Sequence, residues 1–300
     1  MQKVIVITGP TGVGKTKLSI EIAKRYNGEI INGDAIQIYK GMNIGSAKIN
    51  EEEMEGIKHH LFSIKDVVED YSIYNYQVDC RNKIKEIQDM GKVAIIVGGT
   101  GLYIKSALYD YTLDSEKNNI DNEYKDISTE ELYKRLKLLD KDIQIDKFNR
   151  RRVIRALNYY LENNKSIKSN DKGNNLLYDT LFIGLTCNRD VLYKRIDDRV
   201  DLMIKNGLLE EVKSFYDRDI RTKPLLSGIG YKELYKYFDN EIDYDEAIRL
   251  IKRNSRRYAK RQYTFFNNQF KINWFMTNFD NFDETIREVC NYIDEKETIS

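Results

Sequence analysis

The sequence predicts an α/β fold in which a mostly parallel sheet, flanked by helices, is interrupted by a helical insertion. The first observation is an unbroken β-branched run, KVIVIT at 3–8, typical of a strand buried on both faces. Further strands are predicted at 29–32, in the run that ends at Gly98, and at 177–186. Between about 110 and 173 such runs stop, and apolar residues recur at helical spacing instead.

These changes of pattern divide the chain into two predicted domains. Residues 1–111 and 174–300 form the α/β core and end in basic helices, whereas residues 112–173 form the insertion. The apolar residues of the two insertion helices share helical spacing: Leu132, Leu136 and Leu139 in the first, and Val153, Leu157 and Tyr160 in the second.

Composition excludes several classes of protein. The 300 residues are 41% hydrophobic and 32% charged, with a formal net charge of +1, so any nucleic-acid surface must be a local patch. No apolar run approaches the length of a membrane span or signal peptide, and we expect a cytoplasmic protein. The cysteines, Cys80, Cys187 and Cys290, are far apart and form no CxxC, which favours reduced thiols.

The stretch GPTGVGKT predicts a phosphate-binding loop, because it satisfies G-x-x-x-x-G-K-[ST] between a strand and a helix. Its glycines allow the backbone N–H groups to face an anion, and the dipole of the following helix favours the same anion. Lys15 adds a positive charge, and the Thr16 hydroxyl can ligate Mg²⁺. The core is therefore predicted to be P-loop NTPase-like, with phosphate contacts from Gly9, Pro10, Thr11, Gly12, Val13, Gly14, Lys15 and Thr16.

Two further candidates follow strand ends, where ligands bind in open α/β sheets. Asp34 comes just after the second predicted strand and should face the phosphate loop; a helix N-cap is the alternative interpretation. The third strand ends in Gly98-Gly99-Thr100-Gly101, where an NTPase often places an Asp for Mg²⁺. The glycines allow close approach to a ligand, and Thr100 offers a hydroxyl there.

Two helices are strongly basic. The second insertion helix carries four arginines at 150–155, and residues 252–261 contain six basic residues and no acidic one. A solvated helix face is the alternative, but such faces normally mix signs, so we favour a polyanion-binding surface. His59 and His60, the only histidines, have no Cys or carboxylate at ligand spacing, which favours a structural role.

Taken in order, these motifs resemble the tRNA dimethylallyltransferase (tRNA isopentenyltransferase) family over nearly the whole chain. The similar stretches are GPTGVGKT, GDAIQIYKGMNIGSAK, HHLFSI, YSIYNYQ, VGGTGLYIKSAL, RRVIRALNYY, LYKRIDDRVDLMIKNGLLEEV, GIGYKEL and RRYAKRQYTFF. Several positions depart from the family pattern: Ala35 for Ser, Ser46 for Thr, Asn158 for Glu, Phe266 for Trp, Asp140-Lys141 for Asp-Pro, and a divergent segment at 111–128.

The resemblance implies transfer of a dimethylallyl group from dimethylallyl diphosphate to N6 of adenine 37, in tRNAs that read codons beginning with U. Mg²⁺ would assist the departing diphosphate, which the loop binds, and Asp34 would be the general base with Thr100 orienting the amine or the diphosphate. We expect a monomer that binds tRNA and no membrane. The implied tRNA contacts are Asp34, Ala35, Ile36, Gln37, Thr100, Arg151, Arg152, Arg155, Gly230, Tyr231, Lys232, Arg253, Arg257 and Arg261.

Three alternatives stay open at this point. A small-molecule kinase or other P-loop NTPase needs only the opening loop and leaves the basic helices unexplained. A prenyltransferase acting on free adenine nucleotides would keep the loop and Asp34 but has less need of two basic helices. A non-enzymatic RNA-binding module has no use for Lys15 and Thr16.

Overall fold

The computed structural model describes residues 3–110, 124–167 and 175–298. The chain forms two compact units: one combines the chain up to Tyr109 with the chain from Leu176 onward, and the other is Asp110–Asn175. Parts of the predicted insertion, 112–123 and 168–173, lie outside the described residues.

The first unit is built on a parallel sheet, which confirms the predicted fold class. Within the described residues the sheet has six strands in the order β3-β2-β4-β1-β5-β6. The strands are β1 Val4–Thr8, β2 Gly28–Asn32, β3 His59–His60, β4 Val93–Val97, β5 Thr180–Thr186 and β6 Asn273–Met276. The short edge strands β3 and β6 were not predicted from the sequence.

Helices cover both faces of the sheet. In the first unit they are α1 Lys15–Arg25, α2 Ile73–Asp89, α3 Gly101–Leu108, α6 Arg189–Lys205, α7 Leu208–Tyr216, α8 Lys223–Ser227, α9 Tyr231–Phe238, α10 Tyr244–Gln269 and α11 Phe282–Thr298; in the second they are α4 Thr129–Leu139 and α5 Arg150–Asn163. No helix of the described chain is long and apolar enough to cross a membrane.

The central position of β1 in the sheet explains why its sequence is an unbroken apolar run. Every one of its residues is buried, and successive side chains enter different cores. Val4 and Val6 pack into one hydrophobic cluster, whereas Ile5 and Ile7 pack into the other. Both faces of the strand are thus covered, as a parallel sheet requires.

The order of the strands also locates the ligand site. From β1 the chain moves to one side of the sheet for β2, β3 and β4, and then to the other side for β5 and β6. β1 is therefore the point where the strand order reverses, with β4 and β5 as its direct neighbours. Ligands of open α/β sheets bind beyond the carboxyl ends of the strands at such a point.

The second unit has a hydrophobic cluster of its own. Leu132 and Leu136 of α4 are fully buried and belong to the same cluster as Val153, Ile154 and Leu157 of α5. The Ser128 side chain accepts the Glu131 N–H, and the Asn149 side chain accepts the Arg152 N–H, so both helices begin at a capping residue.

The three cysteines and two histidines of the sequence lie in the first unit. Cys80, Cys187 and Cys290 are buried free thiols. His59 and His60 form β3, and the His60 ring bonds the buried Glu29 carboxylate at 2.6 Å. Among the described residues, no group of three or more His, Cys, Asp and Glu side chains is arranged to hold a metal ion.

Candidate active site

The phosphate loop connects β1 to α1 and depends on three glycines with left-handed backbones. Gly9, Gly12 and Gly14 have φ values of 136°, 85° and 97°. A Cβ on Gly9 would also lie 2.4 Å from the Leu185 carbonyl oxygen of β5. Side chains at these positions would be strained, so the loop can curl only with glycine there.

Lys15 turns back over this loop. Its Nζ donates to the carbonyl oxygens of Gly9 at 2.9 Å and Pro10 at 2.7 Å. Burial lowers the pKa of Lys15 to about 7; the nearby Arg199 lowers it further and Asp34 acts in the opposite direction. Lys15, Arg199 and Asp34 therefore share one site.

Asp34 is held rigidly just beyond β2. Its backbone N–H donates to Asn32 Oδ1 at 2.8 Å, and its Oδ1 accepts the Ile36 N–H at 2.9 Å. Burial raises the pKa of the Asp34 carboxyl, while the Ile36 N–H and Lys15 oppose this shift. A carboxyl group with a raised pKa is suited to accept a proton near neutral pH.

The Gly-Gly-Thr-Gly stretch after β4 packs directly against the end of β2. A Cβ on Gly98 would lie 2.1 Å from the Gly33 carbonyl carbon, so no acidic side chain fits at that position. The Thr100 N–H donates to the Gly33 carbonyl at 3.1 Å, and its Oγ1 accepts the Ala35 N–H at 3.1 Å. Thr100 thereby lies beside the segment that carries Asp34.

The basic helix α10 contributes two polar side chains to the site. Gln262 donates to the Gly99 carbonyl at 3.0 Å, and the Tyr258 hydroxyl lies 3.5 Å from the same oxygen. Burial and the nearby Asp34 raise the pKa of Tyr258 to about 12. Neither residue is among the site residues predicted from the sequence; the available signal was two polar residues four apart on one face of the helix.

Sequence reasoning also missed two arginines on α6. Arg195 donates from Nε to the Gly12 carbonyl at 3.0 Å, and its guanidinium lies 3.8 Å from the centre of the Phe279 ring. Arg199, one helical turn later, has its pKa lowered by burial and interacts with Asp34. Their spacing of four residues was visible in the sequence, but acidic neighbours at 197 and 198 disguised it.

The chain segment beyond Asp34 is partly exposed and is held by its own side chains. Gln37 donates to the Ser46 carbonyl at 2.9 Å. Lys48 donates to Ser63 Oγ at 2.9 Å and to the Tyr39 carbonyl at 2.5 Å, and burial lowers its pKa to about 8. Residues 35–37, the predicted tRNA contacts, are thereby fixed against the turn at 42–48.

Glu211 of α7 holds this turn in place. Its carboxylate accepts the N–H groups of residues 43–45 at 2.9, 2.8 and 3.1 Å. The Tyr231 hydroxyl donates to the same carboxylate at 2.6 Å. The Tyr231 ring also packs so closely on the turn that a Cβ on Gly45 would lie 2.6 Å from it. Tyr231 is fully buried, so its side chain supports the turn, and RNA contact at Gly230, Tyr231 and Lys232 stays a prediction.

The C-terminal part of the chain supports the phosphate loop from the other side. The buried Thr277 hydroxyl donates to the Val13 carbonyl at 3.1 Å. A Cβ on Gly14 would lie 2.5 Å from the Phe282 ring, at the start of α11. The loop geometry therefore depends on residues more than 260 positions away, since Val13 and Thr277 are 264 apart.

The basic residues of α10 belong to two faces. Lys252 and Arg256 pair with Asp201 and Asp197 of α6, so these two cations join helices. The predicted RNA contacts on α10 differ among themselves: Arg257 and Arg261 are exposed, whereas the Arg253 Nε is buried without a hydrogen-bond partner in the described part of the chain.

The arginines of the second unit divide in a similar way. Arg150 donates to the carbonyls of Ile127 at 2.6 Å and Tyr124 at 2.5 Å, and so stabilises its own unit. Arg151, Arg152 and Arg155, the predicted tRNA contacts, are exposed.

Comparison with known proteins identifies a consistent set of relatives. The family model of IPP transferase matches residues 37–269. A tRNA dimethylallyltransferase of Anoxybacillus flavithermus is 48% identical, over 98% of this chain and 97% of that protein. The Bacillus subtilis tRNA dimethylallyltransferase is also 48% identical, over 91% of this chain and 90% of its own.

Solved structures give the same result. The tRNA isopentenylpyrophosphate transferase of Bacillus halodurans has a TM-score of 0.77 at 40% identity, covering 99% of this chain and 97% of its own. A eukaryotic dimethylallyltransferase acting on tRNA has a TM-score of 0.87 at 30% identity, covering 99% of this chain and 80% of its own.

Proposed function

The chain belongs to the IPP transferase family, and on that premise we propose that it is a tRNA dimethylallyltransferase. It transfers the dimethylallyl group from dimethylallyl diphosphate to N6 of adenine 37 and releases diphosphate. One observation carries the reaction scheme: the phosphate loop follows β1 and Asp34 follows β2, and both strands pair in parallel with β4, so the two features lie at the same edge of the sheet. There the charges of Lys15 and Asp34 each shift the pKa of the other. A leaving-group site and a base are thereby combined.

The phosphate loop is the site for the donor diphosphate. As the bond to the allylic carbon breaks, negative charge grows on the departing diphosphate. The backbone N–H groups of the loop, of which Pro10 has none, would stabilise that charge. So would the ammonium of Lys15, which lies over the loop and donates to the Gly9 and Pro10 carbonyls. Arg195 and Arg199 add positive charge on the α6 side of the loop.

Mg²⁺ fits this site as a companion of the diphosphate. Thr16 is exposed at the start of α1, and the described residues offer no cluster of acidic or histidine ligands that could hold the ion alone. Thr16 would hold it together with phosphate oxygens and water, the ligand set that Mg²⁺ prefers. When bound, the ion neutralises charge on the leaving group.

Asp34 acts as the general base towards the exocyclic amine. The amine is a weak nucleophile because its lone pair is delocalised into the ring, so removal of its proton during bond formation lowers the barrier. Thr100, whose hydroxyl lies beside the Asp34 segment, orients the amine or the diphosphate. The adenine must leave its stack to reach these groups, as bases of RNA loops can do.

The tRNA contacts extend outward from this site. Residues 35–37 lie next to Asp34 and are partly exposed. The exposed guanidinium groups of Arg257 and Arg261 are suited to phosphates of the RNA backbone. Neither guanidinium has an ion pair among the described residues, and such exposed charges favour a tRNA acceptor over a free adenine nucleotide. We expect a cytoplasmic monomer.

The test is transfer by the purified protein with Mg²⁺ and labelled dimethylallyl diphosphate, in the absence of any nucleotide. We expect label in unmodified tRNA and none in AMP, with inorganic pyrophosphate competing against the donor. Lys15→Ala should impair use of the donor severely and leave tRNA binding intact. A requirement for ATP hydrolysis, or label in AMP alone, would overturn the proposed function.

A further inference from the structure

Among the described residues of the second unit, one aromatic side chain is largely exposed to solvent, a few residues before the exposed arginines of α5. Phe148 is 82% exposed and lies two residues before the start of α5. We propose, on the basis of the tRNA substrate proposed above, that Phe148 stacks on an unpaired base of the tRNA while neighbouring arginines hold its phosphates. We call Phe148, Arg151, Arg152 and Arg155 the stacking surface.

The arginines of this surface are available to an external anion. Val153, Ile154 and Leu157 bury the inner face of α5, which leaves the three arginines outside. Within the described residues, their guanidinium groups have no ion pair or hydrogen bond, in contrast to that of Arg150, which is bonded to two carbonyls.

On the other helix of this unit, α4, positive charges are neutralised by neighbouring acids. On α4, Lys134 pairs with Glu130 at 3.1 Å and Arg135 with Glu131 at 3.4 Å. The sequence of α5 contains four arginines and a single acid, Glu162. Positive charge therefore predominates on the exposed face of α5, the helix that begins two residues after Phe148, and a polyanion is the complementary partner.

The backbone around Phe148 is fixed, so the exposed ring is presented by an ordered turn. The Phe148 N–H donates to Asp146 Oδ1 at 3.0 Å, and the Asn149 N–H donates to the Asp146 carbonyl at 3.1 Å. Asn149 in turn accepts the Arg152 N–H at 3.2 Å. The Lys147 ammonium lies 5.0 Å from the ring centre. Such pre-organisation reduces the entropy lost on binding.

An RNA base is the partner that uses both parts of this surface. Aromatic side chains stack on every base, because each base has a π face, and cations beside the ring meet the adjoining phosphates. A phenyl ring offers no hydrogen bond to a base edge. The surface should therefore add affinity for tRNA without selecting a base.

The test compares Phe148→Ala, Phe148→Trp and the control Leu138→Ala in the full-length protein. Leu138 is a matched apolar residue, 78% exposed in the same unit. We expect Phe148→Ala to weaken tRNA binding about tenfold, Phe148→Trp to retain it, and Leu138→Ala to leave it unchanged. The salt dependence should stay the same for Phe148→Ala and become shallower for Arg151→Ala with Arg152→Ala.

Each other outcome has a definite meaning. If the wild-type protein transfers the group to tRNA and Phe148→Ala binds tRNA as tightly as wild type, the stacking role is wrong and the proposed function stands. Equal losses for Phe148→Ala and Phe148→Trp, or for Leu138→Ala, would also overturn stacking. If the wild-type protein neither binds nor modifies tRNA, the proposed function fails and this inference fails with it.

Discussion

Burial shifts the pKa values of Lys15 and Asp34 in opposite directions, although the two groups lie in one site. Removal from water disfavours the charged form of each, so the lysine becomes a weaker base and the carboxyl a stronger one. Their mutual attraction opposes both shifts without cancelling them. A donor diphosphate would restore the charge of Lys15, and Asp34 would then face the amine.

Replacement of Asp34 by Asn should abolish the base while keeping the oxygen that accepts the Ile36 N–H. We expect single-turnover transfer to fall by about 10²-fold or more, with tRNA affinity retained. In the wild-type protein the rate should fall as pH decreases through the raised pKa of Asp34, because only the carboxylate accepts a proton. A variant with a near-normal single-turnover rate would remove Asp34 from the mechanism.

The lowered pKa of Lys15 predicts proton uptake when diphosphate binds. Above its pKa of about 7 the free lysine is increasingly neutral, and an anion favours the ammonium. Pyrophosphate binding at about pH 8.5 should take up more protons in wild type than in Lys15→Arg, which stays charged. Calorimetry in buffers of different ionisation enthalpy measures this difference, and equal uptake would contradict the assignment.

The lowered pKa of Lys15 also makes the stability of the folded protein depend on pH. Lys15 in the unfolded chain keeps its ordinary pKa, so between about pH 7 and 10.5 the unfolded state binds more protons than the folded state. The contribution of Lys15 to the free energy of unfolding therefore rises with pH in this window. Below it, both states carry the charge, and its burial destabilises the folded protein.

At the scale of single elements, α7 holds the turn at 43–45, on the proposed RNA side of the site, through the Glu211 carboxylate. Glu211→Gln would leave one acceptor oxygen for the three N–H groups of the turn at 43–45. We expect the KM for tRNA to rise about tenfold, since bonds to a charged acceptor are strong, while the affinity for pyrophosphate is unchanged. Amide exchange at 43–48 should also accelerate.

Glu210→Gln is the matched control, because Glu210 is the exposed neighbour on α7 and its substitution removes the same charge. The control should behave as wild type. If both variants showed the same rise in KM, the effect would be one of overall charge, and positioning of the turn by Glu211 would be refuted.

The two faces of α10 should respond differently to substitution. Arg257→Ala and Arg261→Ala should weaken tRNA binding, and each should lower the slope of log K against log salt by about 1. Arg256→Ala should instead lower the free energy of unfolding, because it leaves Asp197 on α6 without its partner. Unchanged salt slopes for the exposed pair would show that this face is merely solvated.

At the scale of the whole molecule, the two units have separate cores and can be perturbed separately. Leu136→Ala removes a fully buried side chain from the core of the second unit and should destabilise that unit by about 2–5 kcal/mol. We expect weaker tRNA binding with unchanged affinity for pyrophosphate. The exposed Leu138 on the same helix supplies the control, and a loss of pyrophosphate affinity in Leu136→Ala would argue against independent roles.

The sequence by itself determined those elements that a short, continuous stretch of residues is enough to identify. β1, the phosphate loop and α1 follow one another without interruption, so apolar runs, glycines and helical spacing identify all three. Asp34 and Thr100 could also be named as candidates in advance, because each lies within three residues of the end of a buried strand. The fold class was predicted for the same reason, since buried parallel strands have a composition of their own.

Only the tertiary structure decided which distant residues complete the site. The sequence around Arg195 and Arg199 does not indicate that they approach the phosphate loop. Gln262 has the appearance of a packing residue until α10 is placed over Gly99.

The edge strands β3 and β6 are too short for a periodic signal and exist through pairing with their neighbours. A cation on a helix is paired or exposed according to what lies opposite it: Arg256 pairs with Asp197, whereas Arg257 is exposed. Contacts between residues far apart in sequence arise from packing, and local composition does not encode them.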